Sequence, residues 1–116
     1  IQNQDDEVES FHVTQTLLQE HPEINALYFA AGGVYGGCKA IVAQNRAHAV
    51  TVITHDRVDT TRSFVQEGVI SATICQQPFL QGSQSLDILF NYLTAGELPE
   101  KELNYVAADI RIAENI

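Results

Sequence analysis

Basic side chains are scarce: six Lys and Arg stand against fifteen Asp and Glu, a formal net charge of -9. A surface this acidic repels phosphate, which argues against direct contact with DNA or RNA and against an anionic membrane as a partner. Charged residues of both signs make up only 18% of the chain, so Gln, Asn, Ser and Thr carry much of the polar surface. No apolar run approaches the roughly 18 residues of a membrane span. The opening Ile1-Gln2-Asn3-Gln4-Asp5-Asp6-Glu7 has neither the basic nor the apolar region of a signal peptide. An initiator Met is absent as well, as expected of a segment cut from a longer protein. Cysteine occurs only as Cys38 and Cys75, too few for a disulfide framework and with no His at metal-ligand spacing. The expectation is two plain buried thiols, no metal, no cofactor and a reducing compartment, the cytoplasm.

What the chain does have is an ordinary globular core: 45% of its 116 residues are hydrophobic, enough for one domain. Helix-like and strand-like segments alternate. Asp5 or Asp6 can cap a first helix carrying Val8, Phe11, Val13, Leu17 and Leu18, which His21-Pro22 ends. The apolar run 26–30 predicts a strand covered on both faces, and a second helix is expected over 35–45. The β-branched run 49–54 predicts a second strand. Asp59 or Thr60 can cap a third helix that Gly68 stops, and 69–75 reads as a third strand. A fourth helix over 80–94 presents Leu86, Leu89, Phe90 and Leu93, closed by Gly96, and 104–112 can form a last strand. Strands alternating with helices predict an α/β fold, a parallel sheet flanked by helices in three layers.

Ligands of open α/β sheets gather beyond the carboxyl ends of the strands. Three segments meet that condition: 31–37 with Gly32, Gly33, Gly36 and Gly37, then 54–57 with His55 and Asp56, then Gln76-Gln77-Pro78. The glycines fit neither a P-loop nor a dinucleotide fingerprint. They serve either close helix–strand packing or close approach of a ligand to the backbone. Asp56 is either a loop cap or a carboxylate that accepts hydrogen bonds from hydroxyls, and Gln76 offers a donor and an acceptor. No nucleophile sits where His55-Asp56 could activate it, so a catalytic reading fails.

The runs 52–56, Thr61-Arg62, 68–78 and Gln81-Gly82 resemble the C-terminal part of the type 1 periplasmic-binding-protein superfamily. The best match within it is the effector-sensing domain of lactose-repressor-type (LacI) transcription regulators. The ending 108–115 is similar to their terminal strand, and Asp5 to Glu7, Leu17-Leu18 and 22–28 to the opening of their C-terminal lobe. This resemblance implies a flavodoxin-like single lobe over 1–116, with the helix near 80–94 crossing to a second lobe outside the sequence. It implies a non-enzymatic sensor of a sugar or related small polar effector. Asp56 and Gln76 map onto the family's sugar-binding residues, while Ala30 and Ala31 stand where the family often has Asn or Asn-Asp. That leaves Gly32, Gly33 and Tyr35 to contact the ligand. Operator DNA would be bound as a homodimer through a separate basic head, and the family's crossover arginine would precede Ile1. The alternative within the same superfamily is a lobe of a periplasmic sugar-binding protein of a transport system. The fourth helix, apolar as it is, is expected to be docked, either on this lobe's own sheet or against a second chain.

Overall fold

The computed structural model describes residues 1–116. The chain forms two compact units, Ile1–Cys75 with Ile110–Ile116, and Gln76–Asp109. In chain order the elements are α1 (Glu7–Glu20), β1 (Ala26–Phe29), α2 (Val34–Ala43), β2 (Thr51–His55), α3 (Asp59–Gln66), β3 (Ala72–Cys75), α4 (Pro78–Ala95) and β4 (Asp109–Arg111). This is the expected α/β fold, a sheet of mostly parallel strands flanked by helices.

The strands follow one another across the sheet as β1-β2-β3-β4. β1 and β2 are parallel with Phe29 opposite Thr54, and β2 and β3 are parallel with His55 opposite Ile74. Sequential order with right-handed crossovers puts α2 and α3 on one face. Side chains alternate along each strand, so Val52 and Thr54 of β2 and Thr73 of β3 turn into that helical layer and are buried. There they meet Leu18, Cys38, Ile41, Phe64, Val65 and Ile70, the core. Burial, aided by the nearby Glu7 carboxylate, pushes the Cys38 thiol up to about 12, so it stays protonated. Cys38 and Cys75 are both free, and Cys75 is half-buried rather than buried.

The other face differs from the expectation of a strand covered on both sides: Tyr28 is 60% exposed, and Ile53 and His55 are only half-buried. Other differences are local. Asp6 caps α1, its carboxylate accepting from Glu9 N–H at 2.8 Å. Neither Asp59 nor Thr60 caps α3; the cap is Val58, whose side chain makes no capping hydrogen bond. β3 starts at Ala72 because Val69 and Ile70 close the turn after α3, their N–H groups bonded to the Phe64 carbonyl. Pro78 occupies the first position of α4, where its absent N–H costs nothing.

α1 lies on α2, and the approach is close. A Cβ added at Gly36 would overlap the Glu7 carbonyl oxygen, and one at Gly37 would overlap the Phe29 ring. Arg46 fastens the other end of α1, donating to the carbonyls of Pro22 at 3.0 Å and Ile24 at 2.5 Å.

In the unit Gln76–Asp109, α4 buries none of its residues. Leu86 is 68% and Leu93 71% exposed. The unit is closed on itself by Gln77, whose side-chain amide donates to the Ala107 carbonyl at 2.9 Å.

The glycine contacts give a testable contrast. Gly36→Ala should destabilise the first unit by about 3 kcal/mol, since the added methyl meets backbone rather than a yielding side chain. Gly82→Ala, with open space around it in α4, should be neutral or stabilising by up to about 1 kcal/mol. Urea unfolding of both variants checks this.

Candidate functional site

The carboxyl ends of the parallel strands release three loops, and two of them lie wholly in the first unit. After β1 the chain runs through Ala30, Ala31, Gly32 and Gly33 into α2. Gly33 caps α2 with φ 77°, a left-handed conformation that favours glycine. Asn3 and Asp5 of the N-terminal segment lie against this loop. Asn3 Nδ2 donates to the Gly32 carbonyl at 3.0 Å, and Gly32 N–H donates to Asp5 Oδ1 at 2.9 Å. One turn further on, Gly36 N–H donates to Glu7 Oε2 at 2.6 Å. A carboxylate thus already sits at the N-terminal turn of α2, where the helix dipole would otherwise attract an anion.

Of the two readings of the glycines, packing accounts for Gly36 and Gly37 outright. Both backbone polar groups of Gly32 are also engaged by this chain's own Asn3 and Asp5. Tyr35 packs its ring 5.7 Å from that of Phe64 in α3, with Lys39 Nζ 5.5 Å above it.

Asp56 follows the last residue of β2. Its φ is 66°, in the left-handed region that Asp tolerates better than most residues. Two hydrogen bonds hold it there: Asp56 N–H donates to the Ile74 carbonyl at 2.9 Å, and Thr73 Oγ1 donates to the Asp56 carbonyl at 2.9 Å. His55, the residue before it, hydrogen-bonds through Nε2 to the Tyr28 hydroxyl of the neighbouring strand, the rings meeting edge to face at 5.5 Å.

Gln76 follows the last residue of β3 and opens the second unit, its carbonyl accepting from Gln81 Nε2. Sequence reasoning missed the contact of Asn3 and Asp5 with the loop after β1. The acidic start reads simply as the first turn of a helix, and nothing in the sequence says that Asn3 and Asp5 fold back on a loop 27 residues away.

Residues 1–98 match the family model described as a periplasmic binding protein domain, and the chain belongs to that family. It is 24% identical over 99 residues to a D-apiose import binding protein of Paraburkholderia graminis, covering 84% of this chain and 32% of that protein. It is 26% identical over 94 residues to a D-allose-binding periplasmic protein of Escherichia coli, covering 80% of this chain and 30% of that one. The chain therefore spans about a third of the length of these curated relatives. Among solved structures, a glucose-galactose binding protein from Geobacillus stearothermophilus superposes with a TM-score of 0.88 at 21% identity, over 99% of this chain and 41% of that one. The sugar-binding protein of a sugar ABC transporter from Bacillus halodurans gives 0.83 at 25%, over 97% and 42%.

The strained backbone at Asp56 yields a prediction separable from ligand binding. Asp56→Gly should leave stability unchanged or raise it by up to about 1 kcal/mol, because glycine adopts φ near 66° without penalty. Asp56→Val should lower it by about 1–2 kcal/mol, since a β-branched residue resists that conformation. Thermal and urea unfolding without ligand checks both.

Proposed function

We propose that this chain is the carboxyl-terminal lobe of a two-lobed protein that binds a monosaccharide or related hydroxyl-rich molecule and releases it unchanged. The observation that carries the reading is Asp56, a carboxylate fixed in a strained conformation at the carboxyl end of a parallel strand. Gln76, at the end of the next strand, supplies an amide to the same reading. A carboxylate accepts two hydroxyl hydrogen bonds and an amide both accepts and donates, the chemistry a sugar asks for. The names of the curated relatives, a D-apiose import protein and a D-allose-binding protein, support the ligand class.

On the parent protein, two lines of support diverge. The words import and periplasmic in the relatives' names favour a transport binding protein. The resemblance of 52–56, 68–78 and 108–115 to lactose-repressor-type regulators favours a cytoplasmic regulator. In that reading the effector shifts the population of lobe closures in a homodimer, and a separate basic head answers by changing its affinity for operator DNA. The two parents differ in what the full-length protein carries ahead of this lobe, a helix-turn-helix or an export leader.

Calorimetry of the full-length protein with D-allose, D-apiose, D-glucose and D-galactose tests the ligand reading. At least one should bind, and Asp56→Ala should weaken it by tenfold or more, about the worth of a hydrogen bond to a charged group. The 116-residue chain alone should bind it weakly or not at all, because an open half-site leaves the ligand in water. Binding of none of the four by the full-length protein would contradict the reading.

A further inference from the structure

Thr73 lies on the buried side of the sheet, 0% exposed, where a valine would fill nearly the same space without a polar atom. Burying a hydroxyl is unfavourable unless it is hydrogen-bonded. Its register partner on β2, Thr54, is equally buried, and the Thr54 hydroxyl makes no hydrogen bond within the protein. The Thr73 hydroxyl does make one, donating to the Asp56 carbonyl at 2.9 Å. That carbonyl belongs to an exposed residue, whose polar groups have water at hand. The bond is therefore not needed to satisfy the carbonyl; what it sets is the conformation of the loop.

Two peptide planes flank the Cα of Asp56, and both are anchored to β3. The preceding one donates its N–H to the Ile74 carbonyl at 2.9 Å, and the following one accepts from Thr73. Fixing both planes fixes φ and ψ together, and with them the direction in which the Cα–Cβ bond leaves the backbone. At φ 66° that direction is not the one an extended strand would give. Thr73 suits the task because a β-branched side chain is stiff at χ1, so its hydroxyl is held as firmly as the strand that carries it. With the Ile74 bond alone, φ and ψ would be free to relax from the left-handed region, and the carboxylate would swing with them.

We propose that Thr73 is a positioning residue of the ligand site. Its hydroxyl holds the backbone of Asp56 so that the carboxylate already stands where a ligand hydroxyl meets it, and Thr73 itself, fully buried, never touches the ligand. The inference rests on the strand-end reading of Asp56 given above. It gives a function to a buried polar atom that the packing of the core does not require. Holding a binding group in its bound conformation raises affinity, because less freedom is lost when the ligand arrives. Thr54 supplies the internal comparison: the same residue type, opposite in the sheet and as deeply buried, with no bond from its hydroxyl to the loop.

Calorimetry of the full-length protein with D-allose, D-apiose, D-glucose and D-galactose, alongside ligand-free thermal unfolding, tests this. Thr73→Val keeps the shape and removes the hydroxyl. It should weaken sugar binding by about fivefold, the worth of one neutral hydrogen bond, with little change in the unfolding midpoint. Thr73→Ser keeps the hydroxyl and removes a buried methyl, so it should lower the midpoint yet keep the affinity of the unmutated protein. Thr54→Val, the same change opposite it in the sheet, should leave affinity unchanged. Because Thr73 acts through Asp56, adding Thr73→Val to Asp56→Ala should weaken binding no further. Equal losses of affinity in Thr73→Val and Thr73→Ser, or a further loss on top of Asp56→Ala, would show a merely structural role and overturn the assignment. Unchanged affinity in Thr73→Val beside a loss in Asp56→Ala would overturn it too, and would leave the strand-end reading intact. Unchanged affinity in Asp56→Ala would overturn the strand-end reading and this inference with it.

Discussion

The close approach of α1 to α2 is the constraint on which the rest of the first unit depends. It exists because Gly36 has no side chain to hold the Glu7 carbonyl away, and because Gly37 leaves room for the Phe29 ring beneath it. Once the helices are that near, the Glu7 carboxylate reaches the Gly36 N–H and settles the N-terminal turn of α2. The chain ahead of Glu7 is then delivered to the loop after β1, where Asn3 and Asp5 take up both polar groups of Gly32. Packing at two glycines thereby decides which polar side chains stand at the end of the first strand.

The second strand reaches a comparable result by different means. Asp56 accepts an unfavourable φ, and the neighbouring strand holds it there through the Ile74 carbonyl and the Thr73 hydroxyl. Thr73 is itself buried in the sheet, so the loop residue is tied to the most rigid part of the unit. Polar groups positioned this way need little reorganisation to meet a ligand.

Much of this was legible in the sequence because the signals were local. The β-branched run ending at Thr54, the αL stop at Gly68 and the Gly96 cap each fix their own element through backbone preferences. Asp56 and Gln76 were legible as strand-end positions for the same reason. Three features were not. Tyr28 looked like an interior strand residue because an apolar run does not say which face of a sheet is covered. The α4 stripe of Leu86, Leu89, Phe90 and Leu93 reads as a buried face, yet these side chains are exposed, because helical spacing does not say what covers a face. Asp5 was hidden because its role depends on a contact 27 residues away, and the acidic turn it precedes has a sufficient local explanation in the helix dipole.

The central claim is that ligand meets this lobe at the carboxyl ends of its parallel strands, at the loop that carries Asp56. The most direct measurement is an amide NMR titration of the full-length protein with the sugar it binds best. The account predicts that the resonances of Gly32, His55 and Asp56 move on binding. Those of Asn25, Val50 and Ser71, at the amino ends of the same strands, should stay in place. Shifts confined to the amino ends, or to the half-open sheet face around Tyr28 and Ile53, would contradict it.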